Sequence, residues 1–129
     1  MEAIILAGRV LFGGYFLMMG INHFLKFDSL AVYAKSKKVP APKIAVLISG
    51  AMILLGGSGV VFNVYPSVSY LLIAVFLIPV SFFIHGFWAV QDPSARAMDK
   101  QNFLKNMALL GAALMLLALT GDGGIYRGY

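Results

Sequence analysis

The 129-residue sequence contains no cysteine and few charges. Without cysteine there can be no disulfide, thiolate metal site, iron–sulfur cluster or dithiol redox cycle, so the four-helix membrane thiol oxidoreductases are excluded. Only five residues are acidic, and charged residues make up 12% of the chain. That leaves too little polar surface to cover a soluble domain of this size. The composition therefore indicates a membrane protein.

What the sequence does contain is four long apolar stretches, at 3–25, 43–63, 68–90 and 102–120. Each is long enough to cross a bilayer, which takes about 20 helical residues, and the mean hydropathy of +0.87 agrees. Backbone groups in lipid must be paired within the protein, and the alternating strands of an outer-membrane barrel are absent. The sequence predicts an all-α polytopic membrane protein, one domain over 1–129, folded as an antiparallel four-transmembrane-helix bundle.

Basic residues are distributed unevenly between the connections. Eight lysines and arginines lie in or beside the first and third connections, whereas the second turn and the C-terminal tail have only Arg127. The positive-inside rule then places both basic connections in the cytoplasm and both termini on the non-cytoplasmic side. We expect a multi-pass protein of the bacterial inner (cytoplasmic) membrane.

The segment 26–38 in the first connection interleaves lysines with apolar residues. One interpretation is a short amphipathic helix that holds Lys35, Lys37 and Lys38 against anionic lipid headgroups; the other is a solvated loop. The pI near 9.6 comes without any nucleic-acid-binding motif, so no nucleic-acid partner is expected.

The first helix carries a stripe of residues that lipid would not favour. Arg9, Gly13, Phe16, Gly20 and His23 recur at alternating steps of four and three, which places them on one face. Glycines allow a neighbouring helix to approach closely, so this face is expected to point into the bundle. Arg9 is then a buried charge near the outer side, which either snorkels to the interface or binds a ligand.

Polar residues also gather near the cytoplasmic ends of the helices. Because helix direction alternates, the ends of the first and third helices meet the start of the fourth at one boundary. The candidate polar cluster consists of Asn22, His23, His85, Trp88, Gln101, Asn102 and Asn106. No metal site is predicted.

The two histidines of this cluster allow three interpretations. His23 and His85 either form interhelical hydrogen bonds with Asn102 and Asn106, or bind the carbonyl of a quinone or take up its proton, or, with less support, ligate haem b. The sequence leaves these alternatives open.

Short motifs along the chain resemble one known family, the DoxX-like membrane proteins. They are Gly8-Arg9-Val10, the paired Gly56-Gly57, His85-Gly86-Phe87-Trp88 and Phe103-Leu104-Lys105-Asn106. The resemblance covers nearly the whole chain, and the last two motifs are the more specific ones.

The resemblance implies a four-helix bundle and several roles. Some relatives are small subunits of quinone-linked or other membrane oxidoreductase complexes, and others resemble membrane-protein chaperones or cargo receptors. The family's characteristic polar positions match Arg9, His85, Trp88, Lys105 and Asn106. Relatives often have an acidic residue before the paired glycines, where this chain has Met52-Ile53-Leu54-Leu55, so no role for an intramembrane carboxylate is expected.

The expected function is an accessory or anchoring subunit of a larger membrane complex, a respiratory or quinone-linked oxidoreductase. Its partners would be the lipid bilayer and other membrane subunits. Catalysis by this chain alone is not expected, since it has no phosphate-binding loop and no complete catalytic constellation. The alternatives are a quinone- or haem-binding redox protein that uses His23 and His85, a membrane-protein chaperone or small transporter, and assembly as a homo-oligomer.

Overall fold

The computed structural model describes residues 1–120, so Arg127 lies outside the described residues. This part of the chain is helical and has no strand. Its elements are α1 (Glu2–Leu25), α2 (Phe27–Ser36), α3 (Pro42–Phe62), α4 (Pro66–Phe83), a short 3-10 helix (Phe87–Ala89) and α5 (Pro93–Thr120). Four segments are long and apolar enough to span a membrane: α1, α3, α4 with the turn after it, and α5. An all-helical, multi-pass membrane protein is confirmed.

The fourth span begins earlier than predicted, and within the third span the regular helix stops before the end of the span at Ala89. The helix α4 ends at Phe83, not at 90, and α5 begins at Pro93, not at 102. The first turn of α5 is held by the Asp92 side chain, which accepts a hydrogen bond of 2.9 Å from the Ala95 amide, and Pro93 suits the first helical position. Hydropathy reports contact with lipid, whereas these capping groups set where the helix begins.

The helices α1 and α3 pack very closely. The buried residues of α1 are Gly13, Phe16 and Gly20, which confirms that the predicted stripe faces the interior. A Cβ atom at Gly13 would lie 2.9 Å from the carbonyl oxygen of Gly57 on α3. A Cβ atom at Gly20 would lie 2.7 Å from the backbone nitrogen of Leu54, also on α3. Glycine is therefore required where the two backbones meet.

A tight turn joins α3 to α4. Asn63 ends α3 in the left-handed conformation, with φ of 57°, and Pro66 begins α4. The two helices consequently lie side by side. Their facing residues form the centre of the core, where Ile53, Ile73 and Leu77 are almost fully buried.

The segment between α1 and α3 forms the short helix α2. Its apolar face packs against the protein, since Ala31 and Ala34 are buried with Val46 of α3. The segment is thus a helix and not a loop from Phe27 to Ser36, and its apolar face contacts α3. α2 lies over the end of the bundle at which α1 ends and α3 begins.

Candidate functional site

A half-open cavity of about 420 Å³ lies beneath α2 and is lined by residues of α1, α2, α3 and α4. Its wall is mainly apolar, and its polar members are His23, Tyr33, Ser49 and His85. The Ser49 hydroxyl donates to the Val46 carbonyl of its own helix and is thereby satisfied. The volume falls within the range of about 300–1,000 Å³ that is usual for small-molecule sites.

Local sequence explains why space remains here. Small side chains at Ala34, Ala45 and Ser49 face the cavity from α2 and α3. Pro79 of α4 also lines it, and proline cannot donate the backbone hydrogen bond of a regular helix, which loosens α4 at this level.

His23 is held by its own helix. Its Nδ1 lies 2.8 Å from the Met19 carbonyl oxygen, one turn earlier. A carbonyl oxygen can only accept, so Nδ1 carries a hydrogen and donates. The ring also packs edge-on against Phe76, with the ring centres 6.1 Å apart.

His85 is held from another helix. Its Nδ1 lies 3.2 Å from Oδ1 of Asp99, a buried residue of α5. The second carboxylate oxygen, Oδ2, accepts a hydrogen bond of 2.9 Å from Nζ of Lys37 at the end of α2. The hydrogen bond to Asp99 raises the pKa of Lys37 above its usual value, although partial burial opposes this. Lys37, Asp99 and His85 thus form a linked triad beside the cavity.

The seven residues of the predicted polar cluster do not form one group. His23 and His85 line the same cavity, but Asn22 and Gln101 are exposed, Asn102 is half-buried, and Asn106 is buried further along α5. Trp88 packs in an aromatic group with Phe82, Phe87 and Phe103. Within residues 1–120, the hydrogen bonds of the two histidines join them to Met19 and Asp99, not to Asn102 or Asn106.

The three lysines assigned to the lipid surface do not share one environment. Lys35 and Lys38 are exposed, but Lys37 is half-buried in its ion pair with Asp99, so its assignment to lipid is wrong. The reason is the early start of α5, whose first turns carry Asp99 as far as the end of α2.

Asp99 is the site residue that the sequence-based prediction missed. A single carboxylate near a membrane boundary is usually solvated, yet Asp99 is only 7% exposed. The signal was its spacing. Asp99 lies three residues before Asn102, which places it on the same helix face as Asn106 and Ala113, and both of these are also buried. Hydropathy alone had assigned Asp99 to the connection.

Two further cations lie away from the cavity. Lys105 lies within α5, and its Nζ is 3.1 Å from the hydroxyl of Tyr15 on α1. Arg9 is half-buried near the opposite end of α1, beside Glu2 and Leu6. Its Nε is buried and has no hydrogen-bond partner within residues 1–120.

Comparison with known proteins shows one match. The family model described as DoxX matches residues 4–86, well over half of the chain. The matched region includes α1 to α4 and both histidines, but it ends before Asp99. No curated protein and no solved structure matches the chain.

Proposed function

This chain belongs to the DoxX family of membrane proteins, and from that premise we propose that it binds a quinone-class ligand as an accessory subunit of a larger membrane oxidoreductase complex. The cavity under α2 carries the proposal. It combines mainly apolar walls with two imidazoles from different parts of the chain, His23 and His85. A quinone ring needs this combination, because its faces and tail are apolar and its two oxygens form hydrogen bonds.

The residues present fit such a ligand. Each histidine uses Nδ1 for a contact within the protein, and no hydrogen bond to either Nε2 is found in the described part of the chain. Aromatic and methionine side chains, including Met19, Met52 and Phe76, supply contact area for a flat ring. A bound quinone would supply two-electron redox chemistry, while these side chains bind it, orient it and exclude water.

An accessory role follows from the chemistry of the lining residues. Imidazole, hydroxyl and apolar groups form hydrogen bonds and move protons, but they do not store electrons. The electron donor or acceptor of the ligand would therefore belong to another subunit.

We further propose an antiparallel bundle in the bacterial inner membrane, with both termini outside the cytoplasm. Contacts between α1 and α3 support opposite directions, since Gly13 lies against Gly57 and His23 against Gly50. The basic residues at both ends of α2 and at the start of α5 support the cytoplasmic assignment of that end.

Native mass spectrometry of the protein extracted gently from its own membrane tests both the accessory role and the quinone ligand. We expect a stoichiometric hetero-complex that retains a quinone. A bound haem would be recognised by its mass and visible spectrum and would replace the quinone in the proposal. Recovery of the chain alone and without any small molecule would contradict both the accessory role and the ligand.

A matched pair of variants connects the ligand to the cavity. Ala45→Phe should fill the space and abolish quinone retention, because Ala45 lines the cavity. Ala51→Phe is the control, since Ala51 is also half-buried on α3 but is not one of the lining residues. Equal retention by both variants would place the ligand elsewhere.

A further inference from the structure

We propose that the cavity selects the reduced, hydroquinone form of its ligand, because Met19 and Asp99 hold His23 and His85 as hydrogen-bond acceptors. The proposal rests on the proposed function and adds the redox form that the site prefers. It also makes Asp99 a positioning residue, which acts on the ligand through His85. Three observations carry it: the two Nδ1 contacts and the ion pair of Asp99 with Lys37.

The Met19 carbonyl determines the tautomer of His23. Because that oxygen only accepts, the 2.8 Å contact requires a hydrogen on Nδ1. In the neutral imidazole the second nitrogen, Nε2, then has a lone pair and no hydrogen. The nitrogen of His23 that remains for a ligand is therefore an acceptor.

Asp99 has the same effect on His85. Both oxygens of its carboxylate already accept hydrogen bonds, one from Lys37 and one from Nδ1 of His85. The hydrogen of His85 is therefore on Nδ1. In the neutral imidazole, a hydrogen on Nδ1 leaves a lone pair and no hydrogen on Nε2. Its Nε2 is then an acceptor as well.

Two acceptors distinguish the redox forms of a quinone by hydrogen bonding alone. A hydroquinone carries two hydroxyl groups, which donate. A quinone carries two carbonyl oxygens, which only accept and would face lone pairs on both histidines. A buried polar group without a partner loses more affinity than an ordinary hydrogen bond adds. We therefore expect the hydroquinone to bind at least about tenfold more tightly, from one such mismatch.

The first experiment reads the tautomers without any ligand. ¹⁵N NMR of histidine-labelled protein in lipid nanodiscs distinguishes protonated from unprotonated ring nitrogens, and the spectra are recorded at a pH at which they show neutral imidazole. We expect both histidines as the Nδ1–H tautomer. A hydrogen on Nε2 of either one would overturn the proposal.

The second experiment compares redox pairs under anaerobic conditions. Dissociation constants are measured in the same nanodiscs for decylubiquinol against decylubiquinone and for menadiol against menadione. Tighter binding of the reduced member supports the proposal. Equal or tighter binding of the oxidised member overturns it and leaves quinone binding intact, whereas no binding of any of the four probes overturns the proposed function as well.

The Asp99→Asn variant tests whether Asp99 positions His85 or only stabilises the fold. Lys37 can only donate, so it would take the amide oxygen of the new side chain, and the amide NH₂ would then face Nδ1 of His85. Nδ1 must then accept, and the hydrogen moves to Nε2. We expect the ¹⁵N spectrum of His85 to show this tautomer and the preference for the hydroquinone to fall by about tenfold.

Asp92→Asn is the matched control, because Asp92 caps α5 and asparagine caps helices equally well. It should leave both the tautomers and the redox preference unchanged. If Asp99→Asn folds and keeps the wild-type tautomer and preference, Asp99 does not position His85. If it does not fold, the tautomers and the redox preference of the wild type still decide the proposal.

Discussion

Nζ of Lys37 lies 2.9 Å from Oδ2 of Asp99, although the two residues are 62 positions apart in the chain. This ion pair joins the end of α2 to the first turns of α5. The same carboxylate holds His85, so one buried acid connects the helix over the cavity with a histidine that lines it. A hydrogen bond from a neighbouring buried residue, such as that between Asp99 and His85, keeps a functional side chain in one orientation.

The first prediction concerns the strength of this ion pair. Asp99→Ala and Lys37→Ala should each lower the free energy of unfolding. Asp99→Ala leaves the half-buried Lys37 without its partner, and Lys37→Ala leaves the buried Asp99 with only the contact to His85. A double-mutant cycle, measured by SDS-induced unfolding in mixed micelles, should give a coupling energy of about 0.5–3 kcal/mol.

Exposed residues of the same types provide the control cycle. Asp28 and Lys35 both lie on α2 and are exposed. Their double-mutant cycle should give a coupling energy near zero. Equal coupling in the two cycles would mean that the pair of Lys37 and Asp99 contributes nothing specific to stability.

The second prediction is the pH dependence of that contribution. The hydrogen bond to Asp99 raises the pKa of Lys37 above its usual value of 10.5, so the folded state binds this proton more tightly than the unfolded chain does. The stabilisation is therefore complete below pH 10.5 and is lost as the pH rises through the raised pKa. The difference in unfolding free energy between wild type and Lys37→Met should be constant from neutral pH to pH 10.5 and shrink above pH 10.5.

The matched comparison for the pH series is Lys35→Met, since Lys35 is exposed on α2. Its difference from the wild type should be small and show no step in the same alkaline range. A Lys37 difference that does not shrink in the alkaline range would contradict the stated direction.

The third prediction tests the close packing of α1 on α3 with two neighbouring glycines. Gly13→Ala should destabilise the protein by about 1–3 kcal/mol, because the new Cβ would meet the Gly57 carbonyl oxygen and the Val60 side chain. Gly14→Ala has nothing within 4 Å of its Cβ and should stabilise the helix by about 0.5–1 kcal/mol. Thermal unfolding in detergent measures both, and a similar loss in the two variants would argue against this interface.

The fourth prediction is the topology. The chain has no cysteine, so single-cysteine variants report one position each. A membrane-impermeant maleimide should label Val64→Cys, in the turn between α3 and α4, in intact cells. It should label Lys35→Cys, on α2, only in inverted membrane vesicles. The opposite pattern would reverse the proposed orientation, and labelling of both variants from one side would contradict the four-span arrangement.

Hydropathy was sufficient to predict the spans, because lipid contact is a local property of about 20 consecutive residues. The interior face of α1 was also predictable, since Gly13, Phe16 and Gly20 follow helical periodicity. The start of α5 was not, because Asp92 and Pro93 extend the helix beyond the apolar stretch. Hydropathy does not register a helix that continues through polar residues.

The site itself was predictable only in part. His23 and His85 were expected at similar depth, and both line one cavity. Asp99 and Lys37 were assigned to solvent and to lipid, because isolated charges near a membrane boundary are usually hydrated. Their pairing depends on where the end of α2 meets the start of α5, and no short stretch of sequence contains that information.

Composition and periodicity were enough to establish a cysteine-free, four-span helical membrane protein and the glycine face on which α1 packs, because these properties depend on single helices and on the surrounding lipid. The cavity, the contact of His85 with Asp99 and the burial of Asp99 were established by the assembled structure alone. The cavity lies among α1, α2, α3 and α4, and Asp99 is buried where the end of α2 meets α5. The hydrogen bonds of Asp99 join residues far apart in the chain.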